Sequence, residues 1–188
     1  MEIYLVRHTT PDIAKGICYG QSDLALVASF PEEYQKIHDQ INFDQQTKIY
    51  SSPLKRCKKL AATFGNTIQY DARLMELHFG KWEMQAWNAI PPTEINPWME
   101  NFVETSVPEG ESYLQLQERV IDFFRELQEE KPKKAIVITH AGVIRALVAH
   151  LQQIPLKDSF SIQLNYGHVL RLENKGTTFA ITEGLVLK

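Results

Sequence analysis

Ile3-Tyr4-Leu5-Val6-Arg7-His8-Thr9-Thr10 carries four apolar residues straight into an Arg-His pair. An unbroken apolar run of this kind reads as a strand covered on both faces, as in parallel sheets flanked by helices. The same logic returns far downstream, where Ala135-Ile136-Val137-Ile138 leads into Thr139-His140-Ala141-Gly142-Val143-Ile144-Arg145. Ligands in open α/β sheets sit beyond the carboxyl ends of strands, so two strands that each end in histidine can deliver both rings to one crevice. Between them, Tyr50-Ser51-Ser52-Pro53-Leu54-Lys55-Arg56-Cys57 closes a shorter apolar run and adds a third basic group.

Outward from these segments, residues 9–29 contain Pro11, Gly16 and Gly20 without clean periodicity and read as a loop wrapped around the site. Residues 31–41 predict a modest helix with Pro31 in its first turn. Residues 49–51 predict a short strand. From Pro53, the spacing of Leu54, Cys57, Leu60, Ala61 and Phe64 fits one helix face, Gly65 stops it, and residues 67–70 predict the next strand. Residues 72–110 hold all three tryptophans, Trp82, Trp87 and Trp98, and read as a partly helical cap. Ser112-Tyr113-Leu114-Gln115 matches a capping box that opens a long helix with Leu116, Val120, Phe123, Phe124 and Leu127 on one face. Lys131-Pro132 breaks that helix, residues 135–139 form the central strand, and residues 142–151 return as a helix. Residues 161–164, 169–173 and 178–182 alternate around Asn165-Tyr166-Gly167 and Asn174-Lys175-Gly176, which predicts antiparallel hairpins. The expected fold is α/β, a three-layer α/β/α arrangement with a mainly parallel central sheet, an antiparallel edge near the C-terminus and a small cap insertion at about residues 77–110.

With 188 residues, 44% of them hydrophobic, and no linker or repeat, the expectation is one domain over residues 1–188. A formal net charge of -3 gives no global pull toward nucleic acid or acidic membranes, so an anion has to be held by a local basic cluster. Met1 leads almost directly into the first strand and no apolar run is long enough to span a bilayer, which predicts a cytoplasmic protein. The state expected is a monomer or homodimer. Cys18 and Cys57 form no metal-ligand pattern and read as free thiols.

Five segments in order carry a resemblance to a known family. They are Leu5-Val6-Arg7-His8, Ser51-Ser52-Pro53-Leu54 with Arg56, Leu74-Met75-Glu76-Leu77-His78-Phe79-Gly80-Lys81-Trp82-Glu83, Pro108-Glu109-Gly110-Glu111-Ser112, and Thr139-His140-Ala141-Gly142-Val143-Ile144-Arg145. The chain resembles the histidine phosphatase, or phosphoglycerate mutase-like, family. That resemblance implies a small phosphorylated substrate, with His8 as nucleophile and phosphohistidine carrier and Arg7, Arg56 and His140 around the transferred group. Guanidinium forks match phosphate geometry and stay charged, and neighbouring cations should keep the attacking nitrogen of His8 free of a proton. Glu76 maps onto the family's proton donor, with Glu83 as the nearby competitor; the acid precedes the Phe-Gly-x-Trp element, which selects Glu76. No metal and no cofactor is implied, because the basic cluster neutralises the phosphoryl charge.

Gln21 and Ser22 match the following loop and are expected to contact substrate, Trp82 is expected near the site, and amides near Ala141 at a helix N-terminus add to anion binding. Two positions depart from the family pattern. Thr9 replaces the usual glycine after Arg-His, and Ala14 stands where many members carry a phosphate-touching Asn. For His38, His78, His150 and His168 no comparable frame exists, and a structural reading is preferred. The start Arg7-His8-Thr9-Thr10-Pro11 with Cys18-Tyr19-Gly20-Gln21-Ser22-Asp23 looks most like the α-ribazole phosphatase branch. Alternatives are another small-molecule phosphatase, a mutase-type phosphotransferase, and a non-catalytic phosphate-binding regulator, the last disfavoured because a pure binder has no use for a proton donor.

Overall fold

The structure, a computed structural model, describes residues 1–65, 67–174, 176 and 179–187. The strands are β1 (Glu2–Arg7), β2 (Lys48–Ser51), β3 (Ile68–Tyr70), β4 (Lys134–Thr139), β5 (Val169–Asn174) and β6 (Phe179–Glu183). The α-helices are α1 (Phe30–His38), α2 (Lys55–Ala61), α3 (Pro92–Glu100), α4 (Tyr113–Glu130) and α5 (Ala141–Leu151). One sheet runs in the order β3-β2-β4-β1-β5-β6. The pairs among β3, β2, β4 and β1 are parallel, and β5 joins β1, and β6 joins β5, in antiparallel sense. The expected layers and antiparallel edge are therefore present.

The apolar runs of β1 and β4 are buried throughout, and alternate residues serve opposite faces. Ile3, Leu5, Ala135 and Val137 pack with the inward faces of α4 and α5. Tyr4, Val6, Ile136 and Ile138 pack with Ile37 of α1 and with Cys57, Leu60 and Ala61 of α2. Helix α4 starts on the capping box: Ser112 Oγ accepts from the Gln115 N–H, and the Gln115 side chain accepts from the Ser112 N–H. Its face Leu116, Val120, Phe123, Phe124 and Leu127 is buried, and Lys131 ends it in a left-handed conformation at φ 52°.

Two expectations change. Residues 161–164 are not a strand: a 3-10 segment runs over Leu156–Ser161, and Ile162 makes only an isolated bridge to Leu187. The reason is chemical, because the carbonyls of Ile162 and Leu164 accept from the side chains of Arg145 and Arg7 instead of a neighbouring strand. The first helix is shorter than the sequence suggested and ends at His38. Lys175 of the expected turn and Thr178 of the expected last strand lie outside the described residues. The cap consists of 3-10 turns at Gly80–Trp82 and Trp87–Ala89 followed by α3, with Trp87 stacked on Trp98.

Candidate active site

Parallel pairing brings the strand ends level. Arg7 lies opposite Thr139, and both Val6 and Ser51 lie opposite Ile138. The ladder continues one residue further on each side: the His8 N–H donates to Thr139 O at 3.0 Å and the Ser52 N–H to Ile138 O at 2.9 Å. His8, Ser52 and His140 consequently leave the sheet at one point. The two imidazoles stand edge to face with centroids 5.1 Å apart.

His8 is 2% exposed, and both ring nitrogens are committed. Nδ1 lies 2.7 Å from Thr9 O, and Nε2 lies 3.3 Å from Arg56 Nε. A carbonyl can only accept and a guanidinium N–H can only donate, so Nδ1 carries the proton and Nε2 presents its lone pair. The contact to Arg56 is at the long, weak end of hydrogen-bond geometry, so an incoming group displaces it at small cost. Burial first, and then the Arg56 and Arg7 guanidiniums, hold the His8 imidazolium pKa well below its ordinary value of 6.5, the Thr9 bond pulling the other way. The sequence reading credited the cations alone; desolvation is the larger cause. His140, also fully buried, is lowered for the same two reasons in the same order, burial and then Arg56, and its Nε2 lies 2.8 Å from Ser52 Oγ and 3.4 Å from Cys57 Sγ.

The arginines are set by the loops. Arg56 has no exposed surface; its Nη1 donates to Ser22 O at 2.8 Å and its Nη2 to Gly20 O. Arg7 donates from Nη1 to Leu164 O at 2.6 Å and lies over the Tyr166 ring at 3.9 Å. Its buried Nε has no partner among the described residues. A buried guanidinium donor left unmade costs free energy, and here it belongs to a side chain that lines one cavity with His8, where an anion would satisfy it.

Glu76 Oε2 accepts from the Gly142 N–H at 3.2 Å, at the start of α5, and Oε1 accepts from the Leu77 N–H at 3.0 Å. Glu83 differs. It accepts from the amides of Gly20, Gln21, Ser22 and Phe79 and from Ser22 Oγ. Burial raises its pKa, but those hydrogen bonds outweigh burial and the net shift is downward. Glu83 is thus an anionic anchor for the loop at Gly20, unsuited to proton donation near neutrality.

A cavity of about 160 Å³ is lined by Arg7, His8, Tyr19, Glu76, Leu77, Phe79, Trp98, Phe102, Tyr113, Ala141, Gly142, Arg145 and Phe160. Three larger cavities, of about 450, 480 and 230 Å³, are surface grooves near Phe64, Lys131 and His150 and contain none of the groups above. Of the expected site residues, Arg56 and His140 lie fully buried behind His8 and do not themselves line the site cavity, and neither do Gln21, Ser22 and Trp82. Gln21 Nε2 donates to Glu76 O, Ser22 Oγ to Glu83, and Trp82 Nε1 to Glu94. Ala141 does line it, Thr9 is buried, and Ala14 is exposed. Sequence reading gave no role to Tyr19, Phe160 or Arg145. Only Arg145 carried a usable signal, five residues beyond His140 on the helix that His140 precedes. Its Nε donates to Ile162 O at 3.1 Å, and its guanidinium lies 5.2 Å from the Phe160 ring. Among the described residues, no group of three or more His, Cys, Asp or Glu side chains is arranged to hold a metal, and no helix is long and apolar enough to cross a membrane.

With this arrangement in view, the family follows. Residues 3–184 match the family model of the histidine phosphatase superfamily, and the chain belongs to that superfamily. Within it, the match is to branch 1. A relative from Hydrogenobacter thermophilus, provisionally named phosphoserine phosphatase 2, is 26% identical over 183 residues, covering 93% of this chain and 90% of the relative. The solved α-ribazole phosphatase of Shigella flexneri is similar in fold, with TM-score 0.85 at 21% identity over 97% of this chain and 95% of that one. The structure of TTHB049 from Thermus thermophilus is similar with TM-score 0.75 and 26% identity over 100% of both chains.

Proposed function

We propose that the protein hydrolyses phosphomonoesters through a phosphohistidine on His8. The observation that carries this reading is the His8 tautomer: Nδ1 is tied to Thr9 O, so the lone pair of Nε2 faces Arg56, while Arg7, whose Nε has no partner among the described residues, lines the same cavity as His8. In the first step His8 Nε2 attacks phosphorus, the P–O bond to the leaving group breaks, and the Glu76 carboxyl gives its proton to the departing alkoxide. In the second, a water gives a proton to the Glu76 carboxylate and attacks phosphorus, and the P–N bond breaks to release inorganic phosphate. Arg7, Arg56 and His140 supply the positive and donor groups for the equatorial oxygens, a task metals perform in other phosphoryl-transfer enzymes, so a chelator is expected to leave the rate unchanged.

For the substrate, the aromatic walls Phe79, Trp98, Phe102, Tyr113 and Phe160 favour a phosphate ester with a flat apolar body, and α-ribazole 5′-phosphate is our leading substrate. At about 160 Å³ the cavity is below the usual range of roughly 300–1,000 Å³ for ligand sites, so the phosphoribosyl part would enter and the base would rest against the exposed Phe160. Arg145 supports a second reading, a smaller phosphate ester carrying a carboxylate, such as phosphoserine or 3-phosphoglycerate. Hydrolysis is preferred to mutase transfer because the cap offers little enclosure and Lys81, its one cation between Met75 and Phe102, is exposed and paired with Glu109. Direct competition of the three esters tests this. A higher kcat/KM for α-ribazole 5′-phosphate is the expected result; preference for phosphoserine or 3-phosphoglycerate would select the second reading, and turnover primed by 2,3-bisphosphoglycerate would reject hydrolysis.

A further inference from the structure

Arg119 and Glu111 take no part in the steps above, yet they organise the backbone that carries Glu76. Residues 73–78 cross between the sheet and the cap with little regular structure, only a 3-10 turn at Ala72–Leu74. Carbonyls in such a segment lack ladder partners, and leaving them unmet in a buried setting is costly. Side chains meet them here. Arg119, in the second turn of α4, donates from Nη1 to Arg73 O at 2.6 Å and Met75 O at 2.7 Å, and from Nη2 to Glu76 O at 3.1 Å. Its remaining contacts go to Glu111: Nε to Oε2 at 3.0 Å and Nη2 to Oε1 at 2.6 Å. A guanidinium has five N–H donors, and all five contacts are made.

Glu111 closes the clamp from the other side. Its Oε1 also accepts from the His78 N–H at 2.9 Å, and its own N–H donates to His78 O at 3.1 Å. Thr139 Oγ1 donates to the Leu74 carbonyl at 2.7 Å, and Gln21 Nε2 reaches Glu76 O at 3.0 Å. Glu76 is therefore fixed by backbone contacts on both sides of its Cα. The Arg119–Glu111 pair, with side chains 19% and 17% exposed, is shielded enough to hold a single geometry.

We infer that the Arg119–Glu111 pair is a positioning device for proton transfer by Glu76. It makes no contact with the reacting atoms; it sets where the carboxyl stands, and it links the chain leaving the cap at Pro108–Ser112 to the acid. A displacement of about 1 Å in a reacting group can cost about 100-fold in rate. Lysine at position 119 keeps the charge but has three donors on one nitrogen and cannot span a carboxylate and three carbonyls.

The inference rests on Glu76 being the acid, and the experiment separates the two. Arg119→Lys and Glu111→Gln are assayed for kcat/KM on an alkyl phosphate, whose leaving group needs a proton, and on p-nitrophenyl phosphate, whose leaving group needs little. Because kcat/KM ends at departure of the leaving group, later hydrolysis of the phosphoenzyme does not enter. Each variant is expected to lose about 10- to 100-fold on the alkyl ester and under about 3-fold on p-nitrophenyl phosphate. In a Glu76→Gln background Arg119→Lys should add no further selectivity, since the proton it positions is gone. Glu111→Gln preserves shape and gives the same readout should Arg119→Lys not fold. Equal losses on the two esters, or additive selectivity in the double variant, would overturn the inference while the Glu76 assignment stands. A Glu76→Gln enzyme without leaving-group selectivity would overturn both.

Discussion

Gly142 shows how one missing Cβ serves the site. A Cβ built there would stand 2.2 Å from Glu76 Oε1, while the Gly142 N–H donates to Glu76 Oε2. The bare backbone lets the carboxyl reach the first turn of the helix, where the free amide of Gly142 holds it in place. The obstructed atom is the far end of a flexible side chain, so Gly142→Ala leaves room for Glu76 to swing away without disturbing the fold. Alanine is also the better helix former, by up to about 1 kcal/mol. The variant should keep or raise the thermal midpoint and lose about 10- to 100-fold in kcat/KM on alkyl phosphates; unchanged kcat/KM would contradict the geometry. At this scale the histidines, arginines and Glu76 were legible because each sits at the end of a strand or in a short ordered motif. Gln21, Ser22 and Trp82 were not, because their partners Glu76, Glu83 and Glu94 are chosen by how the loop and cap fold. Arg145 was visible in the sequence, but its place in the cavity depends on the turn of α5.

Elements were readable where one local rule decides them. The buried runs of β1 and β4 and the apolar face of α4 follow from hydrophobic period, and the start of α4 follows from the Ser112–Gln115 pair. Loss of such a cap costs about 1 kcal/mol, so Ser112→Ala should lower the urea midpoint by a corresponding amount. Because α4 also carries Arg119, the same variant should reduce activity on alkyl phosphates more than on p-nitrophenyl phosphate; equal effects would separate the helix from the acid. The cap was not readable element by element. Its turns depend on contacts such as Trp82 Nε1 to Glu94 and Lys81 N–H to Pro108 O, which no period encodes. Residues 161–164 alternate like a strand, but Arg7 and Arg145 take the carbonyls that a strand would have offered.

For the whole molecule, the two buried histidines tie stability to pH. His8 and His140 are held neutral, with folded-state pKa values well below the ordinary 6.5. The sign follows from proton counting. Above pH 6.5 neither the folded nor the unfolded chain protonates them, and stability is unaffected. Below it the unfolded chain binds protons that the folded one refuses, so stability falls with pH until the folded-state pKa is reached. Each histidine contributes a slope of up to about 1.4 kcal/mol per pH unit. Denaturant midpoints measured from pH 7.5 to 4.5 should fall more steeply for the wild type than for His140→Gln, the carboxylates common to both cancelling in the difference. Parallel curves would show that His140 is not held neutral. In the same window His8 keeps its lone pair, so kcat/KM should not drop on its account between pH 7 and 6.

The central claim is the covalent role of His8, and acid-labile phosphoenzyme measures it directly. Enzyme mixed with a ³²P-labelled phosphomonoester and stopped in denaturant at alkaline pH should retain label that is released by acid and maps to the peptide containing His8. His8→Ala, with an unchanged circular dichroism spectrum, should retain none and turn nothing over. Label retained by His8→Ala, or wild-type turnover with no labelled protein at any time after mixing, would contradict the account.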